Sequence, residues 1–585
     1  MSKVVHTPAV DVFGEAWQEI SQIYGSAVLN KAADLLTNGD PRTIAVKDLH
    51  KHENTGVLIS LQRDSKGKLY ASFTPDTHSL IVGATRSGKT TSFIKPMIRL
   101  SAMRKDKPSM LTADPKGELY RASAAYLRSR GYRVVLFNFR DAEHTACWNP
   151  LLPIYENYQL YCSVADSVTT EFTDGKAVNY FKGKPYTSEK QLQQAIELER
   201  HTLMSKVESA IDEFALKVVL EQKKDPQWSF GAREIFKGVI CALMEDTVLT
   251  PDQEKSCGRK RVTADQFTIR NIILIINELA ANQHNDIITN RPAESLARRH
   301  AQSYIEMSAN VTKAGYFAEL TANISRYNSS ALLDLTSSNT LDFNSLDDGP
   351  VAVFIIYRDE EKSHYAFVNM LVQQFYNALI ALANKRVSDD YENDGRLSRP
   401  FYFIWDEFGN FPRIDDISSK ITACDSRNIW LHLVIQSYSQ LKVVYGEEYE
   451  TILGNCNLQI YFGSNDFVTK QRISEQCLTR TVLSPLSAFN GNEESIMSYN
   501  VTEVPLVSVA TLSHMRFGDA YVMCLNEFPL LAHFERDYMC PELTGVKESP
   551  TLYAGDTRWM QKQYMYSFKK PTSSRSGSLS DWFDD

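Results

Sequence analysis

The stretch Ser79-Leu-Ile-Val-Gly83-Ala-Thr-Arg-Ser-Gly88-Lys89-Thr90-Thr91 constrains this chain most, because an apolar strand runs straight into Gly-x-x-x-x-Gly-Lys-Thr and then a helical sequence. Two glycines let the backbone turn and aim its N–H groups at phosphate oxygens, next to the positive end of the following helix. Lys89 adds a point charge for the β- and γ-phosphates, and the Thr90 hydroxyl suits Mg²⁺. Gly83, Ala84, Thr85, Arg86, Ser87, Gly88, Lys89, Thr90 and Thr91 are therefore expected to line a nucleotide's polyphosphate. A glycine-rich turn without a ligand is the alternative, and the strand before it argues against that.

Composition narrows the class. With 585 residues, 43% hydrophobic and 23% charged, the chain has ordinary globular usage and room for two or three domains. Its nine cysteines form no C-x-x-C pair, and the odd count fits reduced thiols, so a cytoplasmic setting is expected. A net charge of −8 gives no bulk attraction to nucleic acid, so DNA contact would need a local basic surface. The apolar run 366–383 carries Asn369, Gln373 and Asn377 at helical spacing, which marks a buried helix of a soluble protein rather than a membrane span. The first residues have neither a long apolar core nor a small-residue cleavage site, so no signal peptide or anchor is expected.

Residues 1–50 read as helical, with Ala27, Leu29, Ala32, Leu35 and Leu36 as a packing face and Gly39-Asp-Pro41 as the stop. Residues 57–61 and 69–73 read as a β-hairpin leading into the P-loop strand. A strand at 110–114, a helix at 117–130 and a strand at 132–139 continue an α/β pattern, so 51–150 forms the first part of a nucleotide-binding domain. Helical periodicity dominates 151–346, which is expected to be an all-α insertion. Apolar runs at 351–357, 401–405, 429–435 and 458–462 belong to a parallel sheet covered on both faces, so 347–540 completes the domain. A C-terminal extension, 541–585, follows; its Ser-rich 571–580 reads as disordered.

Hydrolysis requires more than a P-loop. The strand 401–405 delivers Asp406-Glu407 at its carboxyl end, where ligands bind in open α/β sheets. Asp406 is expected to hold Mg²⁺ with Thr90, and Glu407 to position and deprotonate the attacking water. Gln436, ending the strand 429–435, could touch the γ-phosphate or that water; capping the strand end is its alternative role. Arg427 precedes the same strand and could reach a neighbouring subunit's site as an arginine finger.

These residues converge on a resemblance. Ile81 to Thr90, Thr112-Ala-Asp-Pro-Lys-Gly-Glu-Leu-Tyr120, Trp148-Asn-Pro-Leu151, Trp405-Asp-Glu-Phe-Gly-Asn410 and Ile435-Gln-Ser-Tyr-Ser-Gln-Leu-Lys442, followed by Tyr445-Gly446 and Gly454-Asn-Cys456, resemble the ordered motifs of the type IV secretion coupling proteins, TraG/TraD-like, over about 45–540. The resemblance implies a RecA-like P-loop NTPase with a mainly parallel sheet interrupted by an all-α domain. It implies a homo-hexameric ring that binds ATP and Mg²⁺ and hands DNA, with its relaxase in a relaxosome, or a protein substrate to type IV secretion channel proteins. By motif Lys89 and Thr90 become phosphate and Mg²⁺ contacts, Asp406 and Glu407 the Walker B pair, Gln436 the γ-phosphate sensor and Arg427 the finger; Asp114 carries over as a signature without a derived role. Most relatives begin with membrane-spanning helices. A chain without them would be recruited to the inner face of the membrane by an anchoring partner subunit. The basic clusters Arg259-Lys-Arg261 and Arg298-Arg-His300, and the acidic-aromatic end Leu579–Asp585, are substrate-contact candidates, with solvated helix ends and an inert tail as alternatives. A nucleotide-gated docking receptor that recruits without translocating is the competing function.

Overall fold

The computed structural model describes residues 27–140, 145–173, 176–222, 224–281, 285–302, 304, 310–358, 360, 364–389, 395–489, 495–544 and 565–566. They divide into two compact units, one within Met1–Arg140, Asp342–Lys362 and Val372–Gly555, the other within Asp141–Leu341, Ser363–Leu371 and Asp556–Asp585.

The first unit is built on ten strands: β1 (Asn30–Lys31), β2 (Ser79–Gly83), β3 (Ser109–Ala113), β4 (Arg133–Asn138), β5 (Val351–Ile356), β6 (Phe401–Trp405), β7 (Ile429–Ile435), β8 (Leu458–Gly463), β9 (Asp519–Cys524) and β10 (Leu530–His533). Their order is β1-β10-β9-β8-β2-β7-β6-β3-β5-β4. From β8 through β4 every pairing is parallel, whereas β9 runs antiparallel to both β8 and β10. Strands β2, β3, β5, β6 and β7 are buried at every position, which is why they read as unbroken apolar runs rather than alternating ones. The mainly parallel α/β expectation therefore holds.

The 57–73 hairpin forms as Val57–Arg63 against Leu69–Thr74, but a third strand, Thr43–Ala45, joins it in a separate small sheet. Helix accounts for little of the described N-terminal stretch: Ala32–Thr37 is one short α-helix, stopped by Gly39 at φ 67°, and Val46–Lys51 is a 3₁₀ turn. Edge pairing of Asn30–Lys31 with Leu530–Leu531 takes backbone that helical periodicity had assigned elsewhere. A further two-stranded ribbon, Thr479–Phe489 with Ser495–Pro505, was not expected at all.

The second unit is mainly helical. Helices Glu189–Val218 and Pro226–Asp246 match the periodic runs, and Ile269–Ala280 buries Ile272, Ile275 and Ile276. It is not all-α, however: Thr169–Thr173, Lys176–Phe181 and Lys184–Tyr186 form a three-stranded antiparallel sheet. Its sequence signals, β-type runs around Asp174-Gly175 and Lys182-Gly183, are short enough to be outvoted by helical stretches on both sides.

Helix Tyr365–Arg386 is, among the described residues, long and apolar enough to cross a membrane. Its Phe367, Val368, Leu371, Phe375, Leu379 and Ala383 are buried in the protein, as the amide stripe led us to expect. The 571–585 tail lies outside the described residues.

Candidate active site

Strand order assembles the site. β7 lies between β2 and β6, so the carboxyl ends of the P-loop strand, of Gln436's strand and of Asp406's strand sit side by side on one sheet edge. Three segments far apart in sequence thus face a common space.

The P-loop leaves β2 at Gly83 and enters a wide π-type turn, Lys89–Ile94, before the α-helix Lys95–Met103. Pro96 explains the widening, because it has no N–H to close a normal helical bond with Ser92. Gly88 adopts φ 99°, where only glycine rests without strain. A second reason for glycine there is space: a β-carbon would lie 3.0 Å from Cε1 and Cζ of Phe517. Arg86 is also left-handed, at φ 69°, and Ala84 N–H donates to the Gly463 carbonyl at 2.7 Å, tying the loop to β8.

Lys89 is buried and turned back on its own loop, donating to the Gly83 carbonyl at 2.8 Å and to Glu407 Oε1 at 3.1 Å. The other Glu407 oxygen, Oε2, accepts from Gln436 Nε2 at 2.8 Å. Lys89, Glu407 and Gln436 therefore form one network. Glu407 holds φ 62°, an uncommon conformation for a non-glycine residue and one that clusters at functional sites.

Asp406 sits deeper. Its Oδ1 is buried and has no hydrogen-bond partner in the structure. Burial, and secondarily the Glu407 charge, push its carboxyl up to about 7, with Lys89 opposing. A buried carboxylate oxygen with no protein donor, near a hydroxyl-bearing P-loop, suits a hard divalent cation that also takes phosphate and water oxygens. The buried, unpartnered Ser87 Oγ adds a polar atom on the loop itself.

Both signature motifs acquire a physical role. Gln440, four residues after Gln436, accepts the Gln436 backbone N–H at 3.2 Å and donates to Asn410 Oδ1 at 2.8 Å. Gly409 makes room, since a β-carbon there would stand 2.3 Å from Gln440 Cδ. The Asp-Glu-Phe-Gly-Asn and Gln-Ser-Tyr-Ser-Gln segments are thus bolted together, fixing Glu407 relative to Gln436. Asp114, buried at the end of β3, accepts the Tyr120 N–H at 2.8 Å while Gly117 N–H donates to its carbonyl at 3.2 Å. Its side chain pins the turn into helix Glu118–Ser129, and burial raises it to about 6.

Other candidates stay apart. Arg427 lies at the amino end of β7, about 20 Å along the strand from Gln436. Its Nη1 donates to the Ala423 carbonyl at 2.9 Å and Ser426 Oγ at 3.0 Å, and its Nε is buried without a partner. The basic clusters are largely neutralised within their own unit: Arg259 pairs with Asp246 at 3.1 Å, Arg299 with Glu208 at 3.5 Å, and His300 meets Glu234 at 3.0 Å. Phe517, against the P-loop, and the Asn410–Gln440 brace were missed: no spacing rule links Phe517 to Gly88 or Gln440 to Asn410.

The model of the family described as type IV secretory system conjugative DNA transfer matches residues 40–553. The conjugal transfer protein TraG of Escherichia coli is 23% identical over 486 residues, covering 81% of this chain; the chain spans 66% of that relative, less than two thirds of its length. Among solved structures, the bacterial conjugative coupling protein TrwBdeltaN70 gives a TM-score of 0.49 at 13% identity, covering 84% of this chain and 92% of its own. Plasmid coupling protein TrwB in complex with ADP and Mg²⁺ gives 0.48 at 12% identity, covering 87% and 93%. VirB4 of Thermoanaerobacter pseudethanolicus gives 0.41 at 11% identity, covering 83% and 97%.

Proposed function

Because this chain belongs to the type IV secretory system conjugative DNA transfer family, we propose that it is an ATP-hydrolysing coupling protein that recruits a DNA–relaxase or protein substrate and feeds it to a type IV secretion channel. The observation that carries the ATPase part is the Lys89–Glu407–Gln436 network beside the unpartnered Asp406 Oδ1, all at the sheet edge the P-loop faces. ATP and Mg²⁺ are the ligands this chemistry fits, and TrwB has been solved with ADP and Mg²⁺.

Lys89 Nζ donates both to the Gly83 carbonyl and to Glu407, so the P-loop cation and the carboxylate share one hydrogen-bonded group. A γ-phosphate competes for Lys89 and frees Glu407 to take a proton from water as the water's oxygen bonds phosphorus and ADP leaves. Gln436, hydrogen-bonded to the same carboxylate, reports that change into β7. Thr90 and Asp406 would hold Mg²⁺, which would neutralise phosphate charge. Arg427, remote from its own site, suits a finger offered to a neighbour in a homo-hexameric ring. Relaxase, relaxosomal DNA, channel proteins and a membrane-anchoring subunit complete the assembly, at the inner face of the membrane.

Glu407→Gln tests the reading, because it keeps shape and hydrogen bonding while removing the base. The variant should bind a non-hydrolysable ATP analogue normally and hydrolyse ATP on the order of 10²–10⁴-fold more slowly. Wild-type turnover in that variant would reject Glu407 as the base. Undiminished substrate transfer by Lys89→Ala would instead identify a docking receptor.

A further inference from the structure

The turn Arg516-Phe517-Gly518 stands against the P-loop, and its construction suits a ligand better than a packing contact. Phe517 approaches Gly88 closely enough that a methyl group there would touch its ring tip, yet Phe517 is 50% exposed. The Arg536 guanidinium stacks over the ring at 3.7 Å from its centroid. Arg536 also donates to the hydroxyl of Tyr538, itself 58% exposed. Phe517 thus stands at the rim of the phosphate cradle and, like Tyr538, remains open to solvent, with Arg536 half-buried against both rings.

This array is held rigidly. Gly518, at φ 93°, lets the turn sit against His533, and Phe534 N–H donates to the Gly518 carbonyl at 2.8 Å. Phe534 is fully buried and meets Phe93, within the P-loop's own helical turn, edge-on at 6.1 Å. Asp537 pairs with Arg99 of the following helix at 3.4 Å. The platform and the loop that would hold the phosphates are therefore parts of one packed body.

A large aromatic surface left half open beside a phosphate site, with a cation stacked on it, is chemistry for a heteroaromatic ring. Resting on the nucleotide reading above, we propose that Phe517 and Arg536 form the base-stacking platform of the nucleotide site, engaging the purine through its π-face. Stacking measures ring area, so the platform prefers purine to pyrimidine nucleotides and treats adenine and guanine alike.

Titration calorimetry with ADP, GDP, CDP and inorganic tripolyphosphate, each with Mg²⁺, tests this on the full chain. Phe517→Ala should weaken ADP and GDP on the order of tenfold, weaken CDP less, and leave tripolyphosphate unchanged; Phe517→Tyr should restore purine binding. Arg536→Ala should weaken the same two ligands. Equal losses for tripolyphosphate would show that the ring only braces the P-loop, and unchanged ADP affinity would likewise overturn the platform alone. Failure of the wild-type chain to bind any nucleotide would overturn the nucleotide reading together with the platform.

Discussion

Asp406 carries the sharpest consequence at the scale of one residue. Its carboxyl, ordinarily ionised near pH 4, titrates at about 7 because burial and Glu407 oppose its charge. Between those values the folded chain keeps a proton that the unfolded chain has lost, so this group's contribution to stability declines as pH rises from about 4 to about 7. Asp406→Asn should therefore match wild type below that window and melt higher at pH 8 without ligand, which differential scanning calorimetry would read. Cation binding needs the ionised form, so Mg²⁺-dependent nucleotide affinity should rise about tenfold per pH unit up to 7 and then level off. A flat profile between pH 5.5 and 7 would remove Asp406 from the metal site. Asp406 was legible beforehand from its place at the carboxyl end of an apolar strand, as the P-loop was from residue type and spacing. Phe517 was not, since an aromatic has many uses and only the fold brings it to Gly88.

Between elements, the decisive joint is the brace linking the turn after β6 to the helix after β7. Gly409→Ala should push Gln440 off Asn410 and loosen the Gln436 N–H contact. We expect a stability loss of about 1–3 kcal/mol and a fall in kcat with nucleotide affinity largely kept, separable by urea unfolding and by turnover against titration. Equal losses in both kinetic parameters would mean the brace supports binding instead. A buried joint of another type, Asp537 with Arg99, should cost about 1–3 kcal/mol on Asp537→Ala, because a buried, charge-assisted hydrogen bond to Arg99 is removed. Element legibility followed burial. β5 and β7 announced themselves as continuous apolar runs, whereas β9 and β10, antiparallel and only partly buried, carry buried runs too short to stand out. The Thr479–Pro505 ribbon contains Pro485 in mid-strand, a residue that speaks against a strand in any single-sequence reading.

For the whole molecule, the proposed ring makes a claim that no single chain can satisfy. Arg427 is too far from its own Lys89 to assist it, so Arg427→Ala should assemble normally yet depress hydrolysis by wild-type subunits more than in proportion when the two are mixed. Mass photometry would confirm assembly and steady-state turnover of mixtures would report the dominance; a linear mixing curve would exclude the finger. Sheet order holds a different lesson. β5 lies between β3 and β4, yet 212 residues, 139–350, separate it from β4. On a ribosome adding about 5–20 residues per second, β3 and β4 emerge and wait on the order of 10–40 seconds for the strand that joins them. Two apolar edges with unpaired backbone are left open through that interval, so the yield of native protein should depend on translation speed and on chaperones that shield nascent chains.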